Sequence, residues 1–154
     1  MSTPRVWDVP SEQYYQKLRN QFGNDSLLAR LTIENWLKLM SLDYRSETLR
    51  MYALSSDAVF MEPVNRRIYQ VIMPIGEDFR ASFSAFEFGL LATLLAYREL
   101  SPVGMHFVRD FSRVKCFMLD FEAFHGKRLI SRALEKSENP PVRSITRTSF
   151  RPLR

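Results

Sequence analysis

Three features of the sequence predict an α+β fold. Helical periodicity marks the first part of the chain, short β-rich runs separated by tight turns fill the middle, and helical periodicity returns after residue 84. Helices and strands segregated in this way argue against a doubly wound parallel sheet. The expected order is N-terminal helices, a three- to four-stranded antiparallel meander, a buried central helix and C-terminal helices.

The central helix, within Phe83 to Ser101, has the clearest start and stop signals. The Ser84 hydroxyl is placed to accept the amide of Glu87, and the Glu87 carboxylate to accept the amide of Ser84, a capping box. Phe83 and Phe88 flank it at the spacing of a hydrophobic staple. After Gly89 the run LLATLLAY is apolar nearly all round, the mark of a buried helix. Arg98 and Glu99 return to water. Ser101-Pro102 is expected to end this helix and start the next, since proline fits the first helical position.

Upstream, residues 1–9 are expected to be loose, with Val6, Trp7 and Val9 as anchors. Ser11 to Gln21 reads as a short helix stopped by Gly23. Asn24-Asp25-Ser26 offers N-cap chemistry to a second helix. In that helix Ile33, Trp36, Leu37, Met40 and Tyr44 form one apolar stripe. The pattern then changes. Leu49, Met51 and Ala53 alternate with Arg50, Tyr52 and Leu54. Val59-Phe60-Met61 follows and ends at Pro63. Ile68 to Met73 makes the next run, and Phe79, Ala81 and Phe83 alternate with Arg80 and Ser82. Turn residues separate these runs, which read as antiparallel strands.

Downstream, Phe107, Phe111, Val114, Met118 and Phe121 share one helical face, His125-Gly126 breaks it, and Leu129, Ile130 and Leu134 face inward on a last helix. Asn139-Pro140-Pro141 ends regular structure. The chain therefore reads as one domain, 1–138, followed by a basic tail, 139–154, expected to be disordered in the free protein.

Composition supports a globular protein: 45% of the 154 residues are apolar and 25% charged. No apolar run approaches the roughly 18 residues of a membrane span. The N-terminus lacks an apolar signal core, so the expected location is the cytoplasm. Cys116, among Val114, Phe117 and Met118, is expected in the core. The net charge of +5 is uneven. Lys127 to Arg154 holds eight basic and two acidic residues, and the rest of the chain fourteen and fifteen. The body is close to neutral and the high pI belongs to the C-terminal end.

Enzyme signatures are missing. There is no Gly-rich phosphate loop, nucleophile elbow or Cys-x-x-Cys pair. His106 and His125 have no second ligand one helical turn away, and a structural zinc site wants four nitrogen or sulfur ligands. No catalytic, cofactor or metal site is expected. Asp43, Asp57, Glu62, Glu77 and Asp78 fall at turns and helix ends, where solvated caps are the ordinary reading. Arg109 and Asp110 are adjacent and do not face each other along a helix, so each is expected to pair with a neighbouring element.

The spacing of several blocks carries more information. Phe22-Gly23 is followed by Trp36, by Tyr44 eight residues on, and by Tyr52-Ala53-Leu54-Ser55 running to Met61-Glu62-Pro63. This resembles the ArdB/KlcA antirestriction family, whose members carry a similar Phe-Gly, Trp and Tyr, and a Tyr-x-Leu-Ser segment closing in Met-x-Pro. Phe79 to Gly89 is similar to the family's strand-into-helix passage, and His106-Phe107-Val108-Arg109-Asp110-Phe111 to its later Arg-Asp element. The likeness spans roughly residues 20 to 135. Two departures stand out. Ser46-Glu47 and Asp57-Ala58 occupy positions where the family has Gly-Gly, and glycine is the residue that reaches φ > 0 at little cost. The basic tail is a second departure, since family members tend to be acidic.

The resemblance implies a plasmid- or phage-encoded, non-enzymatic protein that protects incoming DNA from host restriction, typically type I. It implies contact with a host restriction complex or accessory host protein, not imitation of DNA. No membrane partner is expected. The strand-turn region is the expected contact surface, with Asp43, Arg45, Glu47, Asp57 and Glu62 as its residues, because turns display side chains on a rigid sheet. The alternative reading is a nucleic-acid-binding accessory protein using the basic C-terminus. There Arg143, Arg147, Arg151 and Arg154 would order on an acidic partner or on phosphates.

Overall fold

The computed structural model describes residues 6–74 and 79–138. Glu77, Asp78 and the tail with its four arginines lie outside the described residues. The chain runs β1 (Val6–Asp8), α1 (Tyr14–Phe22), α2 (Ser26–Met40), β2 (Leu49–Leu54), β3 (Val59–Pro63), β4 (Ile68–Ile72), β5 (Arg80–Ser84), α3 (Ala85–Leu100), α4 (Met105–His125) and α5 (Leu129–Glu138). The fold is α+β in the expected order. The strands differ from a single meander: they form one sheet ordered β1-β2-β3 and a separate hairpin, β4-β5. Pro63 closes β3 with no amide to donate, and the chain turns away before β4. Residues 6–8, expected to be loose, supply β1 by pairing with β2 from Val6–Leu54 to Asp8–Tyr52. The Val9 amide continues the contact to the Met51 carbonyl at 3.0 Å.

Helix α3 is the centre, packed against β3, the β4-β5 hairpin and helices α2, α4 and α5. Its capping box forms as expected, with bonds of 3.1 and 3.0 Å between Ser84 and Glu87. Phe83, Phe88 and every residue from Leu90 to Tyr97 are fully buried. A row of residues four apart docks the helix on β3. A Cβ at Gly89 would run into the Met61 carbonyl oxygen and lie 2.8 Å from Glu62 Cα. One turn on, Thr93 Oγ1 accepts the Met61 amide at 3.2 Å. After another turn, the Tyr97 hydroxyl donates to the Val59 carbonyl at 2.8 Å. The β3 edge is thus closed by a helix and offers no open template for a foreign strand.

One helix-end expectation changes and another, the break at His125-Gly126, holds. Ser101-Pro102 does not start α4. The Ser101 hydroxyl bonds back to the Tyr97 carbonyl at 2.9 Å, residues 101–103 form a turn, and α4 begins only after Gly104. Gly126, at φ +65°, ends α4 in the left-handed region. Beyond it, Glu122 of α4 accepts the Ile130 and Ser131 amides at 2.6 and 3.2 Å. A carboxylate from one helix therefore caps the next.

On α2, Ile33, Trp36, Leu37 and Met40 are buried as expected, and Tyr44 lies buried beyond the helix end. Cys116 is exposed rather than in the core. The inward stripe of α4 is Phe107, Asp110, Val114, Phe117 and Met118, and 100° per residue turns Cys116 away from it. Among the described residues, no helix is long and apolar enough to cross a membrane.

Candidate interaction surface

The loop at residues 41–48 joins α2 to β2 and carries three of the expected contact residues. Two of them hold the fold together. Asp43 accepts the Gln70 amide of β4 at 2.9 Å, so a carboxylate occupies the hairpin edge where another strand would pair. Glu47 accepts the Asn65 amide at 2.6 Å and the Tyr69 hydroxyl at 3.0 Å. The same hydroxyl accepts the Arg66 amide at 3.2 Å. Burial, and then the hydrogen bond to Glu47, raise the Tyr69 hydroxyl to about 12. Tyr44 is likewise raised to about 12 by burial and then by Glu34 and Glu47. Arg45 is exposed and meets no carboxylate among the described residues.

Glu62, on β3, accepts the Tyr52 hydroxyl at 2.8 Å and lies 3.7 Å from Arg50. Burial raises the Tyr52 hydroxyl, partly opposed by the Arg50 guanidinium. Asp57 sits apart from these, at the tip of the β2-β3 hairpin, 3.6 Å from Lys17 of α1. The five residue steps from it to Glu62 span about 17 Å of strand. The structure thus gathers Asp43 and Glu47 along β4 and leaves Glu62 on β3, in the other sheet.

Sequence reasoning passed over the arginines of this region. A cleft of about 270 Å³ is lined by Arg50, Arg66 and Arg67 together with Glu62, Pro63, Val64 and Phe86. The signal was present in the sequence: Arg66-Arg67 follows Pro63 in a turn without an acidic residue. A larger cleft, about 400 Å³, separates α1 from α2 and the first sheet. It is crossed by the Tyr14 hydroxyl, which accepts the Met51 amide at 3.0 Å.

The His106–Phe111 element has a structural explanation. Asp25 stands at the N-cap position of α2, yet its carboxylate bonds no helix amide and instead contacts His106 Nε2 at 3.1 Å. Asp110 is fully buried. It accepts Gln21 Nε2 at 2.8 Å and, contrary to expectation, Arg109 Nε at 3.0 Å. Adjacency along the helix does not keep the two apart. Arg109 also reaches the Gln21 carbonyl at 3.4 Å. Phe107 stacks on Phe22 with ring centres 4.8 Å apart. The element pins α4 to the corner between α1 and α2. Among the described residues no cluster of His, Cys, Asp and Glu could hold a metal ion.

A three-stranded sheet, a separate hairpin and a helix buried between them define a small α+β fold. It is the fold of the KlcA and ArdB proteins. A solved structure from work on those proteins, which show a novel fold and antirestriction activity against type I DNA restriction systems in vivo but not in vitro, matches with a TM-score of 0.71. The match has 22% sequence identity and covers 86% of this chain and 96% of that one. No family model and no curated protein matches the sequence. The likeness read from the spaced blocks therefore holds at the level of the fold.

Proposed function

We propose that this chain is a divergent antirestriction protein of a mobile element that acts by contact with a host restriction complex or an accessory host protein. The observation that carries the reading is the shared fold over 86% of the chain, joined to the spaced sequence blocks. Contact, rather than imitation of DNA, is favoured by the carboxylates. A mimic needs them dense and outward, like phosphates. Here Glu87, Asp110 and Glu122 are buried, while Asp43, Glu47 and Glu62 are engaged inside the molecule. A non-enzymatic mode follows from the same reading. The activity of the KlcA and ArdB proteins in vivo but not in vitro fits a target or factor supplied by the cell. The surface around Asp43, Arg45, Glu47 and Glu62, with Asp57 at a second point, is the proposed contact region, and the basic tail a proposed additional contact. Plating of unmodified phage on a type I restricting host tests the reading. Expression of the chain should raise plating efficiency, and unchanged plating under every type I system tried would reject it.

A further inference from the structure

We infer that the cleft between Arg50, Arg66 and Arg67 receives an acidic peptide segment of a partner protein. The inference deepens the reading of action by protein contact and rests on it. Three arginines stand in this cleft against one carboxylate, Glu62. That carboxylate is already taken: its side chain is 14% exposed, and it serves Tyr52 and Arg50. Arg50 is also 3.7 Å from Asp8. Arg66 and Arg67 have no carboxylate partner among the described residues, and both are exposed.

The backbone beneath them is fixed at three points. Asn65 N bonds Glu47, Arg66 N bonds the Tyr69 hydroxyl, and the Arg67 carbonyl accepts the Ala85 amide at 2.9 Å. The turn is held while its two guanidinium groups face solvent, which lowers the ordering cost of a ligand. Guanidinium groups match carboxylates in bidentate geometry. Pro63, Val64 and Phe86 supply an apolar wall beside them. The complement is a segment carrying carboxylates next to an apolar side chain. A DNA duplex fits less well. Phosphates want a long basic stripe, whereas this cleft is about 270 Å³ with Pro63, Val64 and Phe86 in its lining, on a body that is close to neutral outside its C-terminal end.

The test is fluorescence anisotropy of the full chain with a short fluorescein-labelled peptide of alternating Glu and Leu. A duplex oligonucleotide and a Lys-Leu peptide are run beside it. The acidic peptide should bind, more weakly as salt rises, and the Lys-Leu peptide should not. Arg66→Glu with Arg67→Glu should weaken binding by about tenfold or more, at an unchanged melting temperature. Arg132→Glu, an exposed cation on α5, should leave it intact. Absence of acidic-peptide binding, tighter binding of the duplex that is lost with Arg66→Glu and Arg67→Glu, or equal loss with Arg132→Glu would each overturn the assignment. The assay involves no restriction. Failed binding with phage protection intact would remove the cleft and spare the functional reading, and the converse would spare the cleft.

Discussion

Ser46 and Asp57 are the two non-glycine residues with positive φ among those described, at +23° and +74°. They fall in the two turns where the sequence resemblance places Gly-Gly, and each reaches positive φ without a glycine. At the hairpin, the Asp57 amide closes on the Leu54 carbonyl at 2.8 Å, and Asp57 takes the position such loops reserve for a left-handed residue. A side chain there costs about 1–2 kcal/mol, and glycine returns part of that through the freedom of the unfolded chain. Ser46→Gly and Asp57→Gly should each be neutral to stabilising, by up to about 1 kcal/mol, read as urea midpoints. These turns were legible because their chemistry is local. The Arg109–Asp110 contact and the exposure of Cys116 were not, because each depends on which way one side chain leaves its helix.

At the scale of elements, the helices were readable from periodicity and caps, and the buried face of α2 came out residue by residue. The split of the strands into two sheets was not readable. It is decided by long-range bonds, Met61 to Thr93 and Val59 to Tyr97, which no local pattern encodes. The Glu122 cap on α5 was hidden for the same reason. Glu122→Ala should cost about 1–3 kcal/mol, because it strips partners from the buried Ile130 amide and from Ser131. Loss of amide-exchange protection should concentrate on α5. The loop at 41–48 gives a pH test. Unfolded tyrosines ionise near 10, while Tyr44 and Tyr69 are raised to about 12. The protonated hydroxyls are favoured by folding, so their contribution is fully present below pH 10 and is lost between about pH 10 and 12. The melting temperature should fall by more than about 5 °C over that window, with tyrosinate absorbance rising as the fold is lost.

Across the whole molecule, the contact surface is a proposal, and what the structure adds is where its side chains go. The sequence pointed to the strand-turn region through four carboxylates and Arg45. The structure uses Asp43, Glu47 and Glu62 as internal ties and leaves Arg45, Arg66 and Arg67 exposed, a division that depends on which amides and hydroxyls lie within reach. The antirestriction reading rests on the spaced blocks and on the shared fold. The most direct measurement is phage plating on a type I restricting host expressing the wild-type chain, the Arg66→Glu, Arg67→Glu variant, or neither. The wild type should raise the plating of unmodified phage. The variant, equally stable and equally abundant, should fall back toward the level of the empty host. A wild-type chain that leaves plating unchanged would contradict the antirestriction reading, and a variant that protects as well as the wild type would contradict contact through the arginine cleft.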